Sequence, residues 1–376
     1  MKPHSCTEAR KLFYRHAMKR LPQEEQEIER GRYIPYKFSL DALSIVFFET
    51  GIRQGWLKPD GALVRKEPLL LAVSGGGDSM ALLWLFRVFY EGELVAAHFE
   101  HGIRGVESKE DAIYVKKMAQ QWGLETVIHH DIVPQTLEKG ESLETGARRM
   151  RYAFLEQTAE ERGAYGVALG HNKNDVAETV LFNLLRGSGA RGLAGISEQR
   201  GIFFRPLLEY SRDYLRTILR FRDITWREDR TNKDNYFTRN YMRNKLIPDI
   251  ESNINTRAVE HLVAFANEMR YYREEEERQG KTLIERAERA NIDGGCNGYE
   301  LDRAVISSMS ERERVVMIRS IIRRMDIQVL PRERCLELAN LMKGARKFEF
   351  QCEKSARVLG TRGSIKWVKQ TKTGSD

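Results

Sequence analysis

The chain has 376 residues, and its 62 Lys and Arg against 54 Asp and Glu give a formal net charge of +8. A hydrophobic fraction of 41% excludes general disorder, and the length predicts two or three domains. No apolar run reaches the roughly 18 residues of a membrane span, and the amino-terminal segment lacks the apolar core of a signal peptide. We therefore expect a cytoplasmic protein with no membrane partner, whose mild basic surplus permits a polyanionic partner without requiring one.

The four cysteines, Cys6, Cys296, Cys335 and Cys352, lie far apart in the sequence. They form no CxxC pair and no Cys/His group at zinc spacing, which argues against a zinc or iron–sulfur site held by cysteine. Free thiols in a reducing cytosol are the simplest interpretation.

The elements predicted in chain order change character twice. Residues 1–67 favour helices and form an amino-terminal extension. From residue 68 to about 250, short apolar strands such as "LLLAV", "LVAAHF", "LETVIHH" and "YGVALG" alternate with amphipathic helices. This alternation predicts an α/β, doubly wound, Rossmann-like parallel sheet with helices on both faces. Residues 251–345 predict a mainly helical domain, and residues 346–376 predict a short β-like tail.

The stretch "SGGGDS" follows the first strong strand and opens a helix. Glycines there allow backbone N–H groups to converge at a helix amino terminus, which suits a phosphate, and Asp78 suits a Mg²⁺ ion that bridges phosphate oxygens. The alternative is a plain glycine-rich turn with Asp78 or Ser79 as a helix cap. The residues of this loop that are predicted to bind phosphate, and with it the ATP implied by the resemblance given next, are Ser74, Gly75, Gly76, Gly77, Asp78 and Ser79.

The loop resembles the SGGxDS loop of the N-type ATP pyrophosphatases, the PP-loop family. That resemblance implies ATP and Mg²⁺ as cofactors and cleavage of ATP between its α and β phosphates, with Asp78 as the metal ligand and a catalytic residue. The loop alone does not choose among members such as tRNA thiolases and GMP synthetase.

Further polar clusters follow the later strands. "HFEHGIRG" places His98, Glu100, His101 and Arg104 after the second strand, although a lone histidine is at best as often a ligand as a structural residue. "ETGARRMRYAFLE" places Arg148 and Arg151 on one helical face, with solvated arginines paired to nearby glutamates as the alternative.

The stretch "GHNKNDVAETVLFNLLRGSG" carries the most specific pattern. His171 follows the fourth strand, and Asp175, Glu178 and Thr179 share one face at the start of the next helix. Two acids on one face suit an ammonium group, a metal or a proton in transfer. The alternative, acids that merely favour the helix dipole, accounts for Asp175 but leaves the remaining pattern unexplained.

Arginines interleaved with aromatic residues and asparagines follow in "FFRPLLEYSRDYLRTIL" and "WREDRTNKDNYFTRNYMRNKLIP". Solvated basic faces are the common interpretation of such clusters, but the aromatic neighbours better suit RNA. Together with Arg186 of the preceding stretch, Arg205, Arg212, Arg239 and Arg243 are predicted to bind RNA, which the resemblance given next implies is a tRNA.

Taken in order from residue 69 to about 250, these segments resemble the tRNA(Ile)-lysidine synthetases. In that family they have the forms HxDHGLR, AR..RY, GHxxDDxxET…LLRGtGxxGLxGm and eDxSNxdxxyxRNxiRxxliP. Glu100 stands where an aspartate is usual, and Asn172, Asn174 and Val176 replace residues that are commonly His, Asp and Gln. The carboxy-terminal region matches only loosely, as a helical tRNA-binding domain.

The resemblance implies a ligase that joins free L-lysine to the wobble cytidine of isoleucine tRNA with a CAU anticodon, through an adenylated cytidine. It implies that Asp175, Glu178 and Thr179 bind lysine, with Asp175 and Glu178 also catalytic. Catalytic Arg148 would lie near the α phosphate or the lysine carboxylate, and His101, Arg104 and His171 would complete the ATP site.

Three alternatives remain open at this point. Another PP-loop tRNA-modifying enzyme, such as a cytidine thiolase, would rely on cysteine pairs or a cluster. A non-catalytic ATP- and RNA-binding module would release no pyrophosphate, and a small-molecule ligase would work without RNA. The oligomeric state is left open, with a homodimer as one alternative.

Overall fold

The computed structural model describes residues 3–31, 33–103, 105–228, 238–292, 298–327, 329–352 and 356–369. The chain divides into two compact units, Met1–Ala266 and Asn267–Asp376. Within the described ranges, no helix has both the length and the apolar character needed to cross a membrane.

The first unit combines a six-stranded sheet with helices. Its strands are β1 (Leu69–Ala72), β2 (Leu94–Glu100), β3 (Glu125–His130), β4 (Gly166–Leu169), β5 (Gln199–Arg200) and β6 (Phe203–Phe204). Its helices are α1 (Pro3–Arg20), α2 (Gln23–Gly31), α3 (Leu40–Arg53), α4 (Gly77–Phe89), α5 (Val106–Gln121), α6 (Leu143–Glu161), α7 (Lys173–Leu185), α8 (Ala190–Leu193), α9 (Arg212–Phe221), α10 (Thr238–Tyr241) and α11 (Ile247–Asn253). A π-helical turn, Met242–Leu246, joins the last two helices.

The strand order of this sheet is β3-β2-β1-β4-β6-β5, parallel except for β5. The chain leaves β1 in one direction and returns on its other side as β4, so the order reverses between these two strands. A doubly wound sheet opens a crevice at such a reversal, beyond the carboxyl ends of its strands. The predicted α/β fold class is confirmed.

The apolar strands are buried on both faces, which explains why their sequences do not alternate. Leu69 and Leu71 belong to one core cluster, together with residues of α4, α5 and α9, whereas Leu70 belongs to a second cluster with residues of α6. Successive side chains of a strand point to opposite faces, so a strand covered on both sides needs apolar residues at every position.

The amino-terminal helices pack in the same core as α4. Phe13 of α1 stacks on Phe89 of α4 with the ring centroids 6.0 Å apart, and Phe47 of α3 contacts the same ring in a tilted arrangement at 5.3 Å. Beside them, buried Arg222 donates to the carboxylate of Glu29 and lies 4.3 Å over the ring of Trp84. These contacts attach the extension to α4 and to the end of α9.

The second unit also contains a sheet, larger than the sequence indicated. The helices are α12 (Ala258–Ala287), within which the division falls, α13 (Arg303–Ser308), α14 (Glu311–Arg324) and α15 (Arg332–Lys343). The strands are β7 (Glu288–Ile292), β8 (Gly298–Asp302), β9 (Phe348–Cys352), β10 (Ala356–Gly360) and β11 (Ser364–Lys369).

Their antiparallel order is β7-β8-β11-β10-β9. A short β-like tail was expected, but β7 and β8 were not. The sequence "ERANI" of β7 continues the charged pattern of the preceding helix, and it forms a strand because its backbone pairs with β8.

Candidate nucleotide site

A cavity of about 720 Å³ opens where β1, β2 and β4 end. The glycine loop forms one wall, and the remaining lining comes from the three strand ends, from α5, α6 and α9, and from the segments around Arg227 and Arg243. This is the place that the strand order predicts for a ligand. Its cationic lining includes Arg151, Arg212, Arg216, Arg227 and Arg243.

The glycine loop has the backbone geometry that its sequence suggested. Gly75 has a φ of +88°, which side chains other than glycine adopt only with strain. Gly76, not Asp78 or Ser79, is the residue that precedes the first turn of α4, and it offers no side-chain cap. The Ser79 hydroxyl instead accepts the Ser74 N–H at 3.1 Å and donates to the Gly76 carbonyl at 2.9 Å. The amino terminus of α4 is thus left for an external anion.

Asp78 faces the cavity from the first turn of α4. Its Oδ1 is buried and finds no hydrogen-bond partner among the described residues, and its Oδ2 lies 3.8 Å from Nε of Arg212. Burial is the main reason that the pKa of Asp78 rises to about 6. A desolvated carboxylate with an unsatisfied oxygen fits a hard cation such as Mg²⁺.

The protein alone does not complete a metal site there. In the part of the chain that the structure describes, no group of three or more His, Cys, Asp or Glu side chains could hold a metal ion. A Mg²⁺ ion on Asp78 would need further oxygen ligands, which nucleotide phosphates supply.

The two acids of α7 meet three of the arginines that were predicted to bind tRNA. Glu178 is only 1% exposed, and it accepts from Arg243 Nε at 2.8 Å, from Arg212 at 3.0 Å and from Arg239 at 3.4 Å. Asp175 Oδ1 accepts from Arg243 at 3.0 Å and from Arg212 at 3.4 Å. Two buried carboxylates thus neutralise most of the charge of three guanidinium groups.

Asp175 has a second task, at the start of its helix. Its Oδ2 accepts the N–H of Asn172 at 2.9 Å, and the side chain of Asn172 accepts the N–H of Asp175 at 3.1 Å, which makes a capping box. Nearby, Asn174 Oδ1 accepts the N–H of Arg212 at 2.9 Å. Of the three residues of this stretch that depart from the family pattern, Asn172 and Asn174 therefore fix the start of α7 and of α9, and Val176 packs in the core.

The two predicted ATP-site histidines that are described, His101 and His171, both line the cavity. Burial and the surrounding arginines hold the pKa of His171 well below its usual value, so its imidazole is neutral. Glu100, also in the lining, pairs with His130 of β3. Arg104 lies outside the described residues.

Other predicted residues lie away from the cavity lining. Arg148 is exposed and stacks on Tyr152, with 4.9 Å to the ring centroid, whereas Arg151 lines the cavity in its place. Arg186 stacks on Phe182 at the end of α7. Arg205 is 4% exposed and donates to the Ser197 carbonyl at 2.9 Å.

The hydroxyl of Thr179, a residue that was predicted to bind lysine, donates a hydrogen bond within α7, to the carbonyl oxygen of Asp175 at 2.7 Å.

The prediction missed two cavity arginines, Arg216 and Arg227. The N–H of Arg227 donates to the Gly75 carbonyl at 2.9 Å, and its side chain pairs with Asp111 and Glu110 of α5, both at 2.8 Å. Arg216 follows Arg212 by four residues on α9, so the spacing that places both on one helical face was the available signal.

Comparison with known proteins matches this unit. A PP-loop domain model covers residues 52–250, more than half of the chain. The tRNA(Ile)-lysidine synthase of Clostridioides difficile is 36% identical over 214 residues, which is 55% of this chain and 46% of that protein. The synthase of the same name from Thermus thermophilus is 44% identical over 190 residues, 50% of this chain and 37% of that protein. The matched region thus spans less than half the length of these curated relatives.

A solved structure shares the fold at low identity. The U34-tRNA thiolase NcsA from Methanococcus maripaludis superposes with a TM-score of 0.50 at 16% identity, covering 61% of this chain and 80% of that one. The match over residues 52–250 includes both the glycine loop and the cleft at the strand reversal. The chain therefore belongs to the PP-loop domain family.

Proposed function

We propose that the chain is an ATP-dependent ligase of the tRNA(Ile)-lysidine synthetase type. It would join free L-lysine to the wobble cytidine of an isoleucine tRNA with a CAU anticodon and release AMP and pyrophosphate. The observation that carries the proposal is the juxtaposition of the uncapped glycine loop, the unsatisfied Asp78 carboxylate and the acid–arginine network. The similarity to lysidine synthases over this same region supports it.

The first step would use the loop wall of the cavity. The backbone amides at the start of α4 would hold the ATP phosphates, while Mg²⁺ bound through Asp78 would offset their negative charge. The carbonyl oxygen of cytidine attacks the α phosphorus, the bond to the bridging oxygen breaks, and pyrophosphate leaves. Arg212 lies between Asp78 and Glu178, where its charge can stabilise the developing negative charge.

The second step would use the acids of α7. The ε-amine of lysine attacks the activated base carbon, loses a proton, and AMP leaves with the former carbonyl oxygen. Asp175 and Glu178 are suited to hold the ammonium, but both already accept from arginines. We expect Arg239 to give way, because it has the longest contact to Glu178, 3.4 Å, and its side chain is 38% exposed, the largest exposure of the three arginines.

The decisive experiment is transfer of radiolabelled lysine to an unmodified isoleucine tRNA transcript with a CAU anticodon, with and without ATP. We expect ATP-dependent labelling that Asp78→Ala abolishes. Asp213→Ala, which removes an exposed carboxylate beside Arg212, is the matched control and should keep the activity.

Other outcomes would redirect or sink the proposal. RNA-stimulated pyrophosphate release without lysine transfer would point to another nucleophile or tRNA. Absence of ATP cleavage with any RNA would favour a non-catalytic binding module. Undiminished lysine transfer by Asp175→Ala would remove the proposed lysine role of that residue.

The remaining expectations stay predictions. They include the cytoplasmic location, a homodimer, the domain boundaries, and the roles of Arg148, Arg186, Arg205 and Arg243.

A further inference from the structure

Arg216 is a cavity arginine that the proposed reaction leaves without a task. It lies one helical turn beyond Arg212 on α9, and both side chains line the cavity. Its Nε is buried and finds no hydrogen-bond partner among the described residues. Among the described residues, the acid nearest to its guanidinium group is Glu228, whose Oε1 is 4.0 Å from a terminal nitrogen, beyond hydrogen-bond distance. Arg216 therefore offers donors that the described protein groups do not use.

The stem of Arg216 lies directly against the glycine loop. A Cβ atom placed on Gly77 would be 3.4 Å from Cγ of Arg216 and 3.5 Å from the ring of Trp226. The indole of Trp226 in turn lies 5.8 Å from the guanidinium carbon of Arg216 and limits where that group can point. Arg216 is thus held beside the first turn of α4, where the loop amides converge.

The neighbouring cavity arginines differ in how their charge is balanced. Arg212 and Arg243 are paired with Asp175 and Glu178, on the side of α7. Arg227 is paired with two acids of α5. Arg216 is the arginine of α9 that lines the cavity beside the loop with no acid of the described residues in hydrogen-bond range, so a polyphosphate bound at the loop would be its natural partner.

We propose that Arg216 binds the β and γ phosphates of ATP and stabilises the pyrophosphate leaving group. The inference rests on the proposed function, because it assumes that ATP binds at the loop. When the bond between the α phosphorus and the bridging oxygen breaks, the electron pair moves to pyrophosphate. A guanidinium beside that oxyanion lowers the energy of the charge that develops there.

The test measures binding by calorimetry, with magnesium pyrophosphate and AMP as separate probes, and needs neither lysine nor tRNA. Arg216→Ala should weaken pyrophosphate binding by about 10- to 100-fold, the effect of losing charge-assisted hydrogen bonds. AMP binding should stay within about twofold of the unchanged protein, because AMP lacks the two outer phosphates. Arg216→Lys keeps the positive charge but lacks the paired N–H donors of the planar guanidinium group, so its pyrophosphate affinity should be intermediate.

The matched control is Arg220→Ala. Arg220 lies on the same helix and over the same Trp226 ring, at 5.6 Å, but it is exposed and outside the cavity lining. Unchanged pyrophosphate affinity in both Arg216 variants would overturn the inference while leaving the proposed function intact. Failure of the unchanged protein to bind magnesium pyrophosphate would overturn both.

Discussion

Replacing Asp78 with asparagine should make the ligand-free protein more stable while it removes activity. Asp78 is a desolvated carboxylate whose folded-state pKa, about 6, lies above the ordinary value of 3.8. Ionisation is therefore harder in the folded chain than in the unfolded chain, and the charge destabilises the fold at neutral pH. Asparagine has nearly the same shape and carries no charge.

The size of the effect follows from the pKa difference. A shift of about two units corresponds to about 3 kcal/mol at pH 7.5, as an upper value. The buried amide also loses hydration, so a gain of about 1 to 2 kcal/mol is expected. Because the folded pKa is the higher one, the penalty builds up as the pH rises from 3.8 to 6. At pH 4.5 the penalty is about 1 kcal/mol, about a third of its value at pH 7.5, and it no longer exceeds the cost of burying the amide, so the gain should vanish.

Urea unfolding in EDTA at pH 7.5 and pH 4.5, followed by circular dichroism, measures this difference. Asp175→Asn is the matched comparison in the same cluster and should have the opposite sign, because Asp175 accepts from Arg243 and caps α7. A less stable Asp78→Asn at pH 7.5 would refute the reasoning, as would a gain that does not shrink at pH 4.5.

Three further predictions concern single contacts. Glu178→Gln should lower the free energy of unfolding by about 3 to 5 kcal/mol, because it removes the buried negative charge that three arginines share and leaves Arg212 and Arg243 with Asp175 alone. Gln157→Glu, an exposed change, is the control, and equal urea midpoints for Glu178→Gln and the unchanged protein would contradict the prediction. Gly75→Ala should weaken pyrophosphate binding in calorimetry because it strains a φ of +88°, so unchanged affinity would argue against the loop site. Cys335 and Cys352 are buried, and burial raises the pKa of the Cys352 thiol to about 11. Mass spectrometry should therefore find both thiols unlabelled by iodoacetamide until urea unfolds the chain. Rapid labelling of the native protein would contradict the prediction, because it would show that the thiols are accessible.

The sequence was sufficient for features that depend on local patterns. Buried strands predicted the parallel sheet, and the loop after β1 predicted the position of the cavity, because strand ends and helix starts are set by nearby residues. The sequence was insufficient where the structure depends on the rotation of a helix about its axis or on contacts between residues far apart in the chain. Arg148 and Arg151 share a helical face in sequence terms, but the packing of α6 turns only Arg151 into the cavity lining.

The same limit applies to the acids. Helical spacing placed Asp175 and Glu178 together, but no pattern in the neighbouring sequence indicated that arginines more than 30 residues away would donate hydrogen bonds to them. The strands β7 and β8 were missed for a related reason, because their pairing outweighs the charged composition of β7.

The packing of the amino-terminal helices bears on how the chain can be divided in the laboratory. Similarity to the PP-loop domain begins at residue 52, but Phe13 and Phe47 share a core with α4, and Glu29 neutralises Arg222 at the end of α9. At the other border, Val259 and Ala266 of α12 pack on α7, beyond residue 250. A recombinant fragment cut at residues 52 and 250 would expose apolar surface at both ends and aggregate, whereas one that extends from α1 through Ala266 retains every partner of this core. The region that is similar to the PP-loop domain and the region that folds as a unit therefore have different boundaries in this chain.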